Sequence, residues 1–464
     1  MAINFFDIPR LNLGYRQGRT ADYDEVENRP TQTEVTVQAQ RCMNCGIPFC
    51  HGAGCPLGNH IPDFNAAVRE GRFRDAYYIL AQTSPFPEFT SRICPALCEA
   101  SCTAGLPSDP VAVRQIEYEI IENAYKRGYV EPFKPRTYTG MRVAIIGSGP
   151  SGLAADALAR KGHEVVVFEK NVNFGGLLRY GIPDFKLKKS VIERRLDVLS
   201  SSGITFEGGV QIGVDISAEY LKRKFDALCI CAGTQVPRAL APNVEGRGAR
   251  GVFFALEFLA SQNRVISGEA SELAISAKDK NVLVIGGGDT GSDCVGTAIR
   301  QGAKSVTQVE IMPEPPAQRH SSTPWPMWPY KLRTSSSHLE GCTRLWGVNV
   351  KSIEIKGGFA KSATFAKCDW TFDETGRPRS FVERPDENFR LEADLILLSM
   401  GFTGVEKKWD SRTVGNPVEF ALDGCRGQVD VDKCRRRLRG GRFDFRAVAC
   451  REGDCLGQGG CRQD

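Results

Sequence analysis

Two glycine-rich segments, about 140 residues apart, each separate an apolar strand pattern from a helix pattern. The strand, the helix and the next strand fall at residues 142–146, 153–160 and 164–168 in the first unit, and at about 281–285, 290–300 and 305–311 in the second. This order is that of a βαβ unit, in which a crossover helix joins two parallel strands. The sequence therefore predicts an α/β chain with two such units.

The first glycine-rich segment has the spacing of a dinucleotide-binding turn, with Gly147, Gly149 and Gly152. The first glycine permits the tight turn, the second lets the backbone approach a pyrophosphate, and the third lets the helix pack close to the strand. The pyrophosphate would lie at the helix N-terminus, where free N–H groups favour an anion. Glu169 follows 22 residues after Gly147, where an acid can bind a ribose hydroxyl. Together these features predict a Rossmann-like nucleotide domain.

The second segment repeats the fingerprint with Gly286, Gly288 and Gly291. The residues between these glycines, Asp289 and Thr290, either contact a nucleotide or cap the helix. A second dinucleotide is therefore expected here.

The choice between NADH and NADPH at the second fingerprint stays open from the residues alone. Glu310 ends the second strand of this unit and would suit the free 2′-hydroxyl of NADH, repelling a 2′-phosphate. Arg319, or nearby Lys304, could receive a phosphate instead, although either side chain could equally be a solvated surface charge.

Cysteine is concentrated near the N-terminus, where seven of the 17 cysteines of the chain fall within about 60 residues. They are Cys42, Cys45, Cys50 and Cys55, followed by Cys94, Cys98 and Cys102. Short spacings of this kind let a chain wrap an iron–sulfur cluster, and two four-iron clusters need eight ligands. Zinc, which favours two spaced cysteine pairs, is the alternative.

Composition excludes several classes of function. The net charge of +5, from 60 basic and 55 acidic residues, is too weak and dispersed to indicate nucleic-acid binding. No uninterrupted apolar run approaches the roughly 18 to 20 residues of a membrane span, and the N-terminus has no secretory pattern. We therefore expect a cytoplasmic protein that binds neither nucleic acid nor membrane.

Two nucleotide sites and a cysteine array together imply an electron path. A nicotinamide passes a hydride, whereas iron–sulfur clusters accept single electrons, so a flavin is needed between them. The expected cofactors are a flavin, a nicotinamide dinucleotide and iron–sulfur clusters.

At this point the chain resembles a known family, the small (β) subunits of NADPH-dependent glutamate synthases, and more widely the N-terminal module of dihydropyrimidine dehydrogenase. The motifs that carry the resemblance are Cys42-Met-Asn-Cys45-Gly-Ile-Pro-Phe-Cys50, Gly175-Gly-Leu-Leu-Arg-Tyr-Gly-Ile-Pro183, Gly286-Gly-Gly-Asp-Thr290 and Pro324-Trp-Pro-Met-Trp-Pro329. The last motif is close to specific for the glutamate synthase branch. The resemblance covers about residues 1–406.

The resemblance implies a helical iron–sulfur domain followed by two Rossmann-like domains, one for FAD and one for NADPH. It assigns one cluster to Cys42, Cys45, Cys50 and Cys102, and the other to Cys55, Cys94, Cys98 and, as an eighth ligand, Glu117. Glu117 could also be an ordinary acid on a helix surface. Glu169, Leu177 and Lys186 match FAD-contacting positions. At Glu310 the resemblance favours NADPH.

The expected domains are a helical cluster domain at 1–135, an FAD domain in two segments at 136–262 and 376–464, and an NADPH domain inserted at 263–375. The last segment departs from the family. From about residue 410 Arg, Gly and Cys dominate, and the family's final strand and flavin-contacting helix are missing. Either the tail is divergent, or the reading frame shifts after about residue 406.

The function implied by the resemblance is that of an electron-input subunit. It would oxidise NADPH, reduce FAD, and pass electrons through the clusters to a large (α) subunit that makes L-glutamate from L-glutamine and 2-oxoglutarate. The first alternative is a free-standing NAD(P)H:ferredoxin-type oxidoreductase of the same fold. The second is a zinc-stabilised interaction module on a degenerate flavoprotein scaffold, without turnover.

Overall fold

The computed structural model describes residues 5–374, 376 and 378–404, and the structural account below concerns those residues. The segment whose frame is in question, from about residue 406, lies outside them.

The N-terminal part is helical. Its α-helices are α1 (Gln32–Ala39), α2 (Ile61–Arg69), α3 (Phe73–Ala81), α4 (Pro87–Ile93), α5 (Leu97–Ala100) and α6 (Val113–Lys126). Thr31 and Glu34 form a reciprocal capping box that starts α1. The chain forms two helices, α2 and α3, rather than one continuous helix, because Gly71 turns the chain between them with a φ of +74°. Apolar side chains such as Phe64, Leu80 and Ile116 form one buried core between these helices.

The first α/β unit contains a parallel four-stranded sheet in the order β3-β2-β1-β4. Its strands are β1 (Arg142–Ile146), β2 (Glu164–Glu169), β3 (Thr205–Gly208) and β4 (Ala227–Ile230), and its helices are α7 (Ala155–Arg160), α8 (Leu177–Tyr180), α9 (Lys189–Ser201) and α10 (Ala218–Lys224). Residues 143–146 of β1 are buried, because the strand is central in the sheet and its two faces pack in separate apolar cores. The predicted βαβ unit is confirmed here.

The second α/β unit is a parallel five-stranded sheet in the order β6-β13-β7-β8-β9. Its strands are β6 (Val252–Phe254), β7 (Asn281–Ile285), β8 (Ser305–Glu310), β9 (Thr343–Trp346) and β13 (Leu395–Leu398), and its helices are α11 (Ala255–Ile266) and α12 (Asp289–Arg300). The helices pack on the sheet through a buried core that includes Phe258, Val284 and Val295.

Sheet membership moves the domain boundaries that we expected at 262/263 and 375/376. β6 pairs with β13, and the helix that follows β6, α11, packs on the second sheet, so residues 252–262 belong to the second unit. β13 pairs residue by residue with β7, so it does not return to the first sheet as expected. A short apolar run shows that a strand is buried but not which sheet it joins, which is why the sequence misplaced both boundaries.

Antiparallel strands complete the described chain. β10 (Val348–Lys356), β11 (Phe359–Phe372) and β12 (Pro378–Glu392) form a meander, and β5 (Val236–Pro237) pairs with β14 (Phe402–Gly404). In the part of the chain that the structure describes, no helix has both the length and the apolar character that a bilayer crossing requires.

Candidate functional site: two thiol groups and two nucleotide turns

The first thiol group consists of Cys42, Cys45, Cys50 and Cys102, which border one cavity together with Phe49, Asn65 and Val113. Residues up to 60 apart in the sequence meet here because α1 ends just before Cys42 and a short turn carries Cys102 back. Burial raises the pKa of the Cys50 thiol to about 12, and the neighbouring sulfurs of Cys102 and Cys42 add to the effect. Four neighbouring thiolates would repel one another. A positively charged inorganic core between them would offset this repulsion, so the arrangement fits a cluster site.

The second thiol group consists of Cys55, Cys94 and Cys98 with the carboxyl group of Glu117. Cys98 is almost fully buried, and burial, with Glu117 next in effect, raises the pKa of its thiol well above the usual value. Glu117 projects from α6, is 6% exposed, and accepts a hydrogen bond from Asn59 Nδ2 at 2.9 Å. Burial raises the pKa of Glu117 to about 7. An ordinary helix-surface acid would be exposed, so this alternative for Glu117 is wrong.

Backbone N–H groups point at the sulfurs in both groups. Ala96 N donates to Cys94 Sγ at 3.4 Å, and the Asn44 N–H donates to Cys42 in the matching place of the other loop. Both donors lie two residues after the cysteine and both have positive φ, 63° for Ala96 and 49° for Asn44. Such left-handed turns wrap the chain around the sulfur. Hydrogen bonds from N–H groups to sulfur are one of the factors that set the reduction potential of a cluster.

A π-helical turn, Cys50–Gly54, separates the two groups, and Cys55 N closes it onto Cys50 O at 2.8 Å. It accommodates four residues between two cysteines that belong to different groups. The cysteines among the described residues are free thiols. Within the same residues no three metal-ligating side chains converge closely enough to hold a single ion. Thiols arranged around a cavity fit a polynuclear cluster.

The first nucleotide turn is tightly packed. Gly147 has a φ of +104°, and a Cβ there would lie 2.4 Å from Cys231 O. A Cβ on Gly152 would lie 1.9 Å from Gly147 O, so helix and strand approach each other only without side chains. Gly149 lies against Gly176, where a Cβ would come within 2.6 Å of Gly149 Cα. These glycines leave the backbone bare where a pyrophosphate would approach.

Glu169 closes this turn from the end of β2. Its Oε2 accepts hydrogen bonds from Ser148 N at 3.0 Å and Ser148 Oγ at 2.6 Å, and its Oε1 accepts one from Asn171 N at 3.0 Å. The carboxylate is therefore fixed beside the glycine turn, in the place where a ribose hydroxyl would be bound.

The second turn repeats this arrangement. Glu310 Oε2 accepts from Gly287 N at 2.5 Å and its Oε1 accepts from Met312 N at 3.2 Å, as Glu169 does in the first unit. A Cβ on Gly286 would lie 2.1 Å from Ser399 O, and one on Gly291 would lie 2.4 Å from Gly286 O. Gly288 differs, because a Cβ there would meet nothing within 4 Å. Gly288 is the N-cap of α12, which begins with Asp289 and Thr290.

The segment after α8 joins the two nucleotide units. Leu177 begins α8, directly after Gly176 of the first turn. Lys186 forms an ion pair with Asp293 of α12, on the second unit. Burial opposes the charge on Lys186, but the carboxylate outweighs it and the pKa of the lysine is raised. The sequence did not indicate Asp293, because its partner Lys186 lies more than 100 residues away along the chain.

A second supporting contact that the sequence did not indicate lies behind the second turn. His338 Nε2 is 2.7 Å from Gln308 Oε1, and Gln308 Nε2 donates to Gly286 O at 2.8 Å. Burial, with the positive charges of Arg344 and Lys186, lowers the pKa of His338 to about 4. The histidine is therefore neutral near pH 7 and holds the turn through Gln308.

Arg319 does not lie free at the second site. Its Nη1 donates to Thr323 O at 2.9 Å and Met327 O at 2.5 Å, and its Nη2 donates to Ala100 O at 3.2 Å. The guanidinium thus ties the Pro324–Pro329 loop to the helical domain, so the structure does not support our assignment of Arg319 to a 2′-phosphate. The same loop packs Trp325 against Phe49, with ring centroids 4.6 Å apart and ring planes tilted by 50°, next to the first thiol group.

Two nucleotide turns on parallel sheets, preceded by a thiol-rich helical domain, define the class of pyridine-nucleotide oxidoreductases that carry iron–sulfur clusters. The family models agree with this. Residues 19–129 match dihydropyrimidine dehydrogenase domain II, 4Fe-4S cluster, and residues 141–408 match the pyridine nucleotide-disulphide oxidoreductases.

Curated relatives narrow the class further. The chain is 48% identical over 395 residues to the small chain of glutamate synthase [NADPH] from Mycobacterium tuberculosis, covering 84% of this chain and 79% of that protein. It is 38% identical over 434 residues to the Bacillus subtilis small chain, covering 89% and 87%. Glutamate synthase [NADH] from Saccharomyces cerevisiae is 41% identical over 84% of this chain and 18% of that longer protein. The chain belongs to the glutamate synthase small-chain family.

Proposed function

We propose that this chain is the electron-input subunit of a glutamate synthase. It oxidises NADPH and delivers single electrons to a large subunit, which makes L-glutamate from L-glutamine and 2-oxoglutarate. The observation that carries the proposal is the presence in one chain of two nucleotide turns, each closed by a strand-end glutamate, together with two separate thiol groups.

The first turn would hold FAD. Gly147, Gly149 and Gly152 leave room for its pyrophosphate, and Glu169 would accept a ribose hydroxyl. Leu177 and Lys186 complete the proposed contacts. When bound, FAD supplies the conversion of a two-electron hydride transfer into one-electron steps. The residues of the chain bind and orient it.

The second turn would hold NADPH through Gly286, Gly288, Asp289, Thr290 and Gly291. The N-terminus of α12 offers its free N–H groups to the pyrophosphate. We propose NADPH because the bacterial relatives are named for it. Glu310 is the residue that a 2′-phosphate would have to displace from Gly287 N–H.

The thiols would hold two four-iron clusters. Cys42, Cys45, Cys50 and Cys102 bind the first, and Cys55, Cys94, Cys98 and Glu117 bind the second. The Glu117 carboxyl group fits a ligand role because it is buried, faces the thiols, and is fixed by Asn59. A carboxyl group buried without such a partner costs free energy.

The partner follows from the family, whose members are named small chains. We propose a large subunit that binds this chain and accepts its electrons, and a cytoplasmic location for both. Neither nucleic acid nor membrane enters this scheme.

The test is an assay of the purified chain with and without a glutamate synthase large subunit, supplied with glutamine and 2-oxoglutarate. The chain alone should reduce an artificial dye with NADPH and form no glutamate, and glutamate should appear when the large subunit is added. A free-standing NAD(P)H:ferredoxin-type oxidoreductase would instead reduce ferredoxin at a rate that the large subunit does not change. Comparing NADH with NADPH as donors tests the assignment at Glu310.

A further inference from the structure

Arg41 is the residue immediately before Cys42, and its side chain is almost fully buried, with 1% of the residue exposed. A buried guanidinium normally pairs with a carboxylate, because an isolated charge is costly to remove from water. Arg41 has a different set of partners.

Within the described part of the chain, the guanidinium donates only to neutral oxygens. Nε and Nη2 donate to Asp109 O at 3.0 and 2.5 Å, and Nη2 also donates to Ser108 Oγ at 2.9 Å. Nη1 donates to the carbonyl oxygens of Phe5 and Ile8. None of the ion pairs found among residues 5–374, 376 and 378–404 involves Arg41, so its charge is not compensated there.

This charge lies between two segments that supply ligands to the first thiol group. Cys42 follows Arg41 directly, and the segment of Ser108 and Asp109 follows the turn that carries Cys102. Ala104 and Val111, on either side of the same segment, border the cavity of that group. The side chain thus joins the chain next to Cys42 to the segment that follows Cys102, close behind the residues that border the cavity.

The second thiol group has a different electrostatic setting. Arg114, a partly buried arginine near it, is paired with Glu27 at 2.8 Å, and Glu99 and Glu117 add negative charge. An uncompensated buried cation is therefore a feature of the first site and not of the second.

We propose that the buried charge of Arg41 raises the reduction potential of the cluster held by Cys42, Cys45, Cys50 and Cys102. The inference rests on the proposed function, because it assumes that the group is an iron–sulfur cluster. Uptake of one electron makes such a cluster more negative, and a nearby cation that water does not screen stabilises the reduced form. At a separation on the order of 10 Å in an effective dielectric near 20, removing the charge should lower the ratio of reduced to oxidised cluster roughly tenfold at a fixed potential.

Arg41 also ties segments together, and Gln38 separates that structural role from the charge. Gln38 lies three residues earlier, is 2% exposed, and links the same two regions without a charge. Its Nε2 donates to Pro9 O at 3.1 Å and its Oε1 accepts from Ala112 N at 3.0 Å. Gln38→Leu is therefore the matched control for the loss of hydrogen bonds between these segments without the loss of a charge.

Ser108 offers a variant that neutralises Arg41 without removing a hydrogen-bond donor. Its hydroxyl accepts from the guanidinium, and the residue is exposed, so a longer polar side chain is tolerated. Ser108→Asp places a carboxylate beside Arg41, and Ser108→Asn is its neutral control. This pair keeps the proposal testable if Arg41→Gln fails to assemble a cluster.

The experiment is a redox titration of the full-length holoprotein followed by electron paramagnetic resonance, with the second cluster as internal reference. Arg41→Gln and Ser108→Asp should shift the first cluster to a more negative potential, whereas Arg41→Lys, Gln38→Leu and Ser108→Asn should leave it within error of the unsubstituted protein. Equal potentials in all variants, or a shift in Gln38→Leu as large as that in Arg41→Gln, would overturn the proposal. If the unsubstituted protein has no cluster signal, the proposed function itself fails, which is a distinct result.

Discussion

Single carboxylates and thiols carry the chemistry of this chain, and their surroundings set what each can do. Glu169 and Glu310 occupy equivalent places in two units and accept equivalent backbone N–H groups, although the sequences around them differ. The repeat is therefore one of geometry. It explains why the two acids could be predicted from their distance to a glycine turn.

At the residue scale we predict that Cys42→Ser removes the first cluster and leaves FAD bound. Serine is a poor iron ligand at this position, and the FAD turn belongs to a separate unit. Iron and flavin analysis of the purified variant should show about half of the iron lost and flavin unchanged. Cys368→Ser, at a half-buried thiol of β11, is the control and should keep all of its iron. Equal iron in both variants would contradict the ligand assignment.

The predicted site residues that the structure brings together share one property. They were predicted from short spacing along the chain, as in the glycine turns, or from resemblance, as in the thiols. Asp293, Gln308 and His338 were missed because their partners lie between 22 and more than 100 residues away, and no local pattern marks such pairs. Arg319 was misassigned for the same reason, since its carbonyl partner Ala100 belongs to another domain.

At the element scale, the glycines of the second turn fall into two kinds. Gly286 and Gly291 are required by backbone packing, whereas Gly288 faces open space with an ordinary φ of −79°. Variants at these positions therefore separate folding from nucleotide binding.

We predict that Gly288→Val folds, retains FAD, and loses reduction by NADPH, because its side chain fills the path of the pyrophosphate. Gly286→Val should fail to fold, since its Cβ would lie 2.1 Å from Ser399 O. Gly149→Val should lose FAD instead. Flavin absorbance and its bleaching by NADPH measure all three variants. If Gly288→Val lost FAD while Gly149→Val kept it, the two nucleotide sites would have to be exchanged.

The contact of His338 with Gln308, which holds the second nucleotide turn, makes the free energy of unfolding depend on pH. The pKa of His338 is lowered to about 4 in the folded chain, from about 6.5 in an unfolded one. The folded state then binds fewer protons, so the contribution of His338 is fully present above pH 6.5 and is lost as the pH falls towards 4.

We therefore predict that the unfolding midpoint temperature falls between pH 7.5 and pH 5.0, and falls less in His338→Gln, which cannot be protonated. Scanning calorimetry at the two pH values measures the difference. If the variant and the unsubstituted protein lost the same amount, His338 would not be the responsible group.

At the scale of the whole molecule, the N-terminal segment ties the domains together. Arg300 of α12 donates to Asp22 O at 3.0 Å and Arg19 O at 2.9 Å, and it pairs with the buried Glu340 at 2.7 Å. Its guanidinium also covers the Phe185 ring, with 3.9 Å between Cζ and the ring centroid. The second α/β unit, the segment of Phe185 that follows α8, and the N-terminal segment thus meet at one side chain.

We predict that Arg300→Met destabilises the chain by about 3 kcal/mol, because it leaves Glu340 buried with Arg19 as its one remaining ion-pair partner among the described residues. Denaturant unfolding measures the loss. Arg384→Met, which breaks exposed ion pairs with Asp369 and Glu387, is the control and should cost much less. Similar losses in both variants would mean that Arg300 does not hold the domains.

The sequence predicted the order of domains but not where one ends. The predicted domain boundaries near β6 and β13 were wrong, because strands adjacent in a parallel sheet can come from distant parts of the chain. Residues 405–464, where we expect either a divergent tail or a shifted frame, are not described by the structure.

The central claim is that one chain holds a flavin and two iron–sulfur clusters. Analysis of the anaerobically purified protein for iron, sulfide, flavin and zinc tests it most directly. We predict roughly eight iron and eight sulfide atoms for each FAD, with no stoichiometric zinc. Stoichiometric zinc with no iron, or a protein without flavin, would contradict it.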